Sequence, residues 1–185
     1  MSNSFGNNRT KIAQFFYNKI QKKAKETKVD DFAFVNVKSI GIIFDENSEG
    51  INEFIQDISQ EFKSKSGVIS IFELAYNVSE AKKPEPNGIP TVYFTDEDVN
   101  RYGKPKFKDV INFIETPFDL LINLAENGHW PIRFSAVMSK AKFKVGRYED
   151  NSDVYDFMVD TGENISMKSF YGLILNYLKI INASG

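Results

Sequence analysis

Short apolar runs with no polar face, separated by segments of helical periodicity, recur along most of this chain and admit few folds. The first is Ser39-Ile40-Gly41-Ile42-Ile43-Phe44. A run that is apolar on both faces and too short for a buried helix suits a parallel strand covered on both sides. The next segment begins at Ser48, a residue able to cap a helix, and carries Ile51, Phe54, Ile55, Ile58 and Phe62 at i, i+3, i+4, i+7 and i+11. Those positions form one stripe of an amphipathic helix.

The alternation continues. Strands are predicted at 39–44, 68–75, 90–95, 118–124, 142–147 and 154–159, and the polar, proline-broken stretch 77–88 reads as a loop. Between the strands, Lys106 to Glu115 keeps helical spacing through Phe107, Val110, Ile111 and Ile114. Pro131 suits the first turn of a helix reaching about Lys140, where its missing N–H would have had no partner. A last helix, about Ile165 to Ile181, carries the stripe Met167, Phe170, Tyr171, Ile174, Leu178 and Ile181. Strand–helix alternation with long crossovers predicts an α/β fold: one doubly wound, mainly parallel, Rossmann-like sheet covered by helices, with the first and fourth strands adjacent. The expected organisation is an N-terminal basic helix over 1–28 and the α/β domain over 29–185.

Charge separates these two parts. Residues 1–28 hold seven bases (Arg9, Lys11, Lys19, Lys22, Lys23, Lys25, Lys28) and one acid, Glu26, so with a net charge of -2 for the chain the remainder carries -8. Ile12, Phe16, Ile20 and Ala24 recur every fourth residue, with Ala13 and Tyr17 beside them, giving a basic amphipathic helix from about Asn8 to Thr27. Such a helix can dock on its own domain or make peripheral contact with an anionic membrane. Docking through Phe16, Ile20 and Ala24 is the expectation, because that stripe is narrow.

Side-chain chemistry is sparse. The absence of cysteine excludes disulfides, thiolate-bound metals and thiol catalysis, and the single histidine makes a catalytic zinc site improbable. Neither a signal-type N-terminus nor an apolar run long enough for a membrane span is seen, so the expected address is the cytoplasm. The two common glycine-rich phosphate cradles are missing, and no cofactor is expected. Nucleic acid is an improbable partner for an acidic body.

Three local features could carry chemistry. With strand order 3-2-1-4-5-6, ligands would enter between strands one and four, at a crevice lined by Asp45, Glu46, Asn47, Asn123, Glu126, Asn127 and His129. There an imidazole beside carboxylates could act as acid or base. Alternatively, His129 and Trp130 simply cover the edge of the core. Asp96-Glu97-Asp98 has a D-x-D form that can hold a divalent ion, although acidic triplets after strands are commonly turns and caps. Lys140, Lys142, Lys144 and Arg147 suggest a cationic strand face, read here as an edge strand guarded by lysines.

Three blocks, Val99-Asn100-Arg101-Tyr102-Gly103-Lys104-Pro105-Lys106, Phe118 to Leu124 and Lys140 to Gly146, resemble an uncharacterised protein family common in Bacteroidota, a domain of unknown function. The resemblance implies no activity. Pro117 to Leu124, the following helix and Ala141 to Arg147 are also similar to the N-terminal domain of heptosyltransferase-type glycosyltransferases. That family places a glycine-aspartate pair after its first strand and binds nucleotide-sugar in a second domain. Here Asp45-Glu46-Asn47-Ser48 follows Phe44, and 185 residues leave no room for the second domain. The expected function is therefore non-catalytic binding of an unknown protein or small-molecule partner; the alternative is a transferase or hydrolase working in the crevice.

Overall fold

The computed structural model describes residues 3–24, 36–45, 51, 54–55, 57–58, 70–77, 88–126, 129–150, 152–162, 165 and 167–183. In chain order the elements are α1 (Asn3–Ala24), β1 (Ser39–Asp45), β2 (Ser70–Tyr76), β3 (Thr91–Phe94), a 3-10 turn η1 (Asp96–Asp98), α2 (Lys108–Glu115), β4 (Leu120–Asn123), α3 (Trp130–Met138), β5 (Phe143–Arg147), β6 (Phe157–Val159) and α4 (Met167–Ala183). The strands form one sheet in the order β3-β2-β1-β4-β5-β6. Every adjacent pair is parallel. This is the expected doubly wound α/β sheet, with β1 and β4 side by side.

Both faces are covered, which explains why β1 and β4 have no polar side. Ile40, Ile42, Phe44, Leu120 and Ile122 pack with Phe170, Tyr171 and Ile174 of α4 and with the helical residues Ile51, Phe54, Ile55 and Ile58. Ile43, Leu121, Leu74 and Phe94 face the other way, onto Val110, Phe113 and Ile114 of α2 and Ile132 and Phe134 of α3. The stripe expected after Ser48 and that of the last helix are buried wherever they are described; Phe62, Met167, Leu178 and Ile181 lie outside the described side chains. At the amino end of the sheet, Asp119 ties three strands together. Its Oδ2 accepts from the Lys38 and Ser39 backbone N–H groups at 3.0 and 3.1 Å, and Oδ1 accepts from Lys142 Nζ at 2.7 Å.

Three expectations are corrected. First, α1 docks on α3, but through Ala13, Tyr17 and partly Ile20, with Gln21 buried as well. Tyr17 sets its ring edge-on to Trp130 and Phe134, with centroids 5.8 and 5.9 Å away, and lies under the Arg133 guanidinium. Ile12 and Phe16 remain exposed, and the Ala24 side chain lies outside the description. Second, α2 buries Phe113 and leaves Phe107 exposed, because the helix starts one residue after Phe107. Third, β5 is an inner strand paired with both β4 and β6, so its cations guard no edge. They also do not share a face. Lys144 is buried, its Nζ donating to the Ala136 carbonyl at 3.2 Å, and Lys142 is drawn to Asp119. Arg147, an odd number of residues from Lys144, lies on the opposite face against the Phe170 ring.

Candidate functional site

The carboxyl ends of the strands carry a cleft of about 610 Å³ on the α1/α3 side of the sheet. Its walls are three. Thr10 and Ala13 come from α1; Asp96 and the hairpin Val99–Gly103 follow β3; His129, Trp130 and Pro131 open α3, with Tyr76 at the end of β2 as the floor.

Local chemistry builds the hairpin wall. Val99 and Pro105 form an antiparallel bridge, and the Asn100 side-chain oxygen accepts from the N–H groups of Tyr102 and Lys104 at 2.9 and 3.1 Å. That Asx turn is closed by Gly103, whose φ of +86° suits a residue without a Cβ. The glycine also allows close approach: a Cβ there would lie 2.5 Å from the Cβ of Trp130. The turn thereby presents Arg101 and Tyr102 to the cleft, with the guanidinium 4.6 Å from the Tyr102 ring centre and the Phe16 ring of α1 on that tyrosine at 5.6 Å.

On the floor, the Tyr76 hydroxyl donates to Asp96 Oδ1 at 2.7 Å. Burial, reinforced by Asp96 as acceptor, pushes the pKa of this phenol well above its ordinary value, so the hydroxyl stays protonated. The His129 ring leans on Tyr76 at 5.5 Å, and its Nε2 lies 3.5 Å from Asp45 Oδ2. Asp45 Oδ2 also accepts from Asn77 Nδ2 at 3.0 Å. Asn77 follows the strand in the left-handed region, φ 68°, a conformation asparagine tolerates better than most residues.

The predicted crevice is thus brought together only in part. Asp45 and His129 meet. Asn123 turns away into the core, donating to Tyr155 Oη at 2.6 Å and accepting from the Ala125 N–H at 3.1 Å. Glu126 is exposed and is not among the cleft's lining residues. Glu46, Asn47 and Asn127 lie outside the described residues. The cleft itself sits toward the ends of β2 and β3, because α1 and the Val99–Gly103 hairpin supply its walls there. Sequence reasoning did not assign Tyr76, Arg101 or Tyr102 to a site; the Asn-Arg-Tyr-Gly turn composition was the available signal for the last two.

Asp96-Glu97-Asp98 resolves into a cap. Thr95 is the N-cap of η1, its hydroxyl accepting from the Glu97 N–H at 3.3 Å, and Asp98 Oδ2 accepts from the Thr95 N–H at 2.9 Å. Among the described residues, no group of three or more His, Cys, Asp or Glu is arranged to hold a metal ion, and no helix is long and apolar enough to cross a membrane.

Comparison with known protein families matches residues 9–181 to a family of unknown function, DUF6913. No curated protein and no solved structure matches the chain.

Proposed function

The chain belongs to this family of unknown function, and on that premise we propose that it is a cytoplasmic, non-catalytic binding protein that takes a small polar molecule into the cleft at the carboxyl ends of β2 and β3. The observation that carries this reading is the lining of the 610 Å³ cleft: the rings of Tyr76, Tyr102, His129 and Trp130, with Asp96 and Arg101 beside them. Its volume suits a metabolite-sized guest. Flat apolar faces with one carboxylate and one guanidinium favour a compact ligand that stacks and also hydrogen-bonds. The polar groups are engaged in holding the site's shape, with Tyr76 on Asp96 and Asn77 on Asp45. That favours recognition over proton transfer.

A second reading, a transferase or hydrolase, rests on His129 Nε2 at 3.5 Å from Asp45 Oδ2, a pair that could take a proton from a substrate hydroxyl. The distant heptosyltransferase-type resemblance belongs to this reading. A thermal-shift screen of monosaccharides, nucleotides, nucleotide sugars and small organic anions separates the two. Ligand at 100 times its Kd stabilises the fold by about 2.7 kcal/mol. Binding reads out as a saturable shift that is lost in Tyr102→Ala and accompanied by no consumption of ligand. Turnover that disappears in both His129→Ala and Asp45→Asn would establish the enzyme reading instead.

A further inference from the structure

Helix α1 has one face packed on the domain and another that is exposed. Ala13, Tyr17 and Gln21, at i, i+4 and i+8, are buried, the first two in the cluster with α3. Phe15 stands two residues from both Ala13 and Tyr17, which at 3.6 residues per turn places it on the opposite side of the helix. It is 65% exposed; Ile12, on the same side, is 40% exposed, and Phe16, on the flank and packed on Tyr102, is 42% exposed. Lys11, Lys19 and Lys22, at i−4, i+4 and i+7 from Phe15, are exposed as well. The docked helix therefore offers outward an apolar ridge set among lysines.

We propose that this outer face of α1 is a peripheral docking surface for an anionic lipid bilayer, with Phe15 entering the interface and Lys11, Lys19 and Lys22 meeting the headgroups. The inference does not rest on any ligand in the cleft, although Phe16 also packs on Tyr102 at the cleft wall.

Charge and area argue for this occupant. Each basic residue close to an anionic leaflet adds about 1 kcal/mol of attraction. Charges on the acidic body farther than about 10 Å are largely screened at ordinary ionic strength, so the local lysines decide the sign. The three apolar side chains expose on the order of 300 Å², whereas a stable protein interface takes about 800 Å² from each partner. That area is small for a protein interface but suffices for ring insertion at a membrane surface, where aromatic rings sit at headgroup level and lysine stems lie along the boundary. Binding of this kind is reversible, as expected for one short helix.

The test is co-sedimentation of the full chain with vesicles of phosphatidylcholine alone and with vesicles of equal parts phosphatidylcholine and phosphatidylglycerol. The expected result is sedimentation with the anionic vesicles only, declining as salt rises. Lys19→Gln should weaken it about fivefold, and Phe15→Ser roughly tenfold. Both residues are exposed, and an unchanged melting temperature verifies that each variant is folded. Equal binding to neutral vesicles, no sedimentation with either, or indifference to both substitutions overturns the proposal. So does concentration-dependent dimerisation abolished by Phe15→Ser, which would make the face an interface between two copies.

Discussion

Replacing Gly103 by alanine tests how the cleft wall is held. Two costs arise there and can be separated. The glycine has φ +86°, and an L-residue forced into left-handed backbone costs about 1–2 kcal/mol. A Cβ would also fall 2.5 Å from the Cβ of Trp130 and 3.4 Å from its carbonyl carbon. Neither atom is the end of a flexible side chain, so the start of α3 must move, at about 1–3 kcal/mol more. Gly88 supplies the control, with φ +79° and nothing within 4 Å of the corresponding position. In urea unfolding with a slope of about 2 kcal/mol per molar, Gly103→Ala should lower the midpoint by roughly 1 to 2.5 M, and Gly88→Ala by about 0.5 to 1 M. Trp130 is the sole tryptophan, so its emission should shift in the first variant alone. Equal midpoints for the two variants, with unchanged emission, would refute the packing argument.

Further outcomes follow from the buried charges and from the docked helix. Burial raises the pKa of Asp119, but hydrogen bonds from Lys142, Lys38 and Ser39 outweigh it and hold the carboxyl below its ordinary 3.8, at about 2. Its stabilising contribution is present above pH 4 and lost as pH falls toward 2. Asp119→Asn should lower stability at neutral pH and flatten that acid limb in pH-dependent unfolding. Lys144 behaves in the opposite sense: burial, opposed by Asp156, lowers its pKa to about 8. Below pH 8 its charge costs stability in full, and the cost is relieved between about pH 8 and the unfolded value of 10.5. Lys144→Met should therefore be neutral or stabilising at pH 7 and should remove the rise in stability on the alkaline side. Tyr17→Ala deletes the ring that joins α1 to Trp130, Phe134 and Arg133, and should cost about 3–5 kcal/mol. Limited proteolysis should then cut within α1 before the domain; resistance equal to the parent would show that α1 is held by other contacts.

Local pattern determined the scaffold. Ile40 to Phe44 and Leu120 to Ile122 have no polar face, so each needed helices on both sides, and the intervening crossovers permitted a parallel sheet with β1 beside β4. Periodicity also identified Ile51, Phe54, Ile55 and Ile58, and later Phe170, Tyr171 and Ile174, because each of these stripes is the dominant apolar surface of its segment. Where two faces competed, tertiary structure decided. α1 carries one apolar stripe through Ile12 and Phe16 and another through Ala13 and Tyr17; the second is buried because Tyr17 fits among Trp130, Phe134 and Arg133, residues more than a hundred positions away. Lys144 read as a surface cation until β6 paired on the far side of β5 and its ammonium reached Ala136. The candidate site shows the same division. Asp45 and His129 were placed together by strand order, whereas Asn123 went to Tyr155, and Tyr102 entered the cleft only because Gly103 lets the hairpin lie against Trp130. Periodicity is a property of one segment of chain, whereas the face that is buried depends on the shape of another segment folded against it.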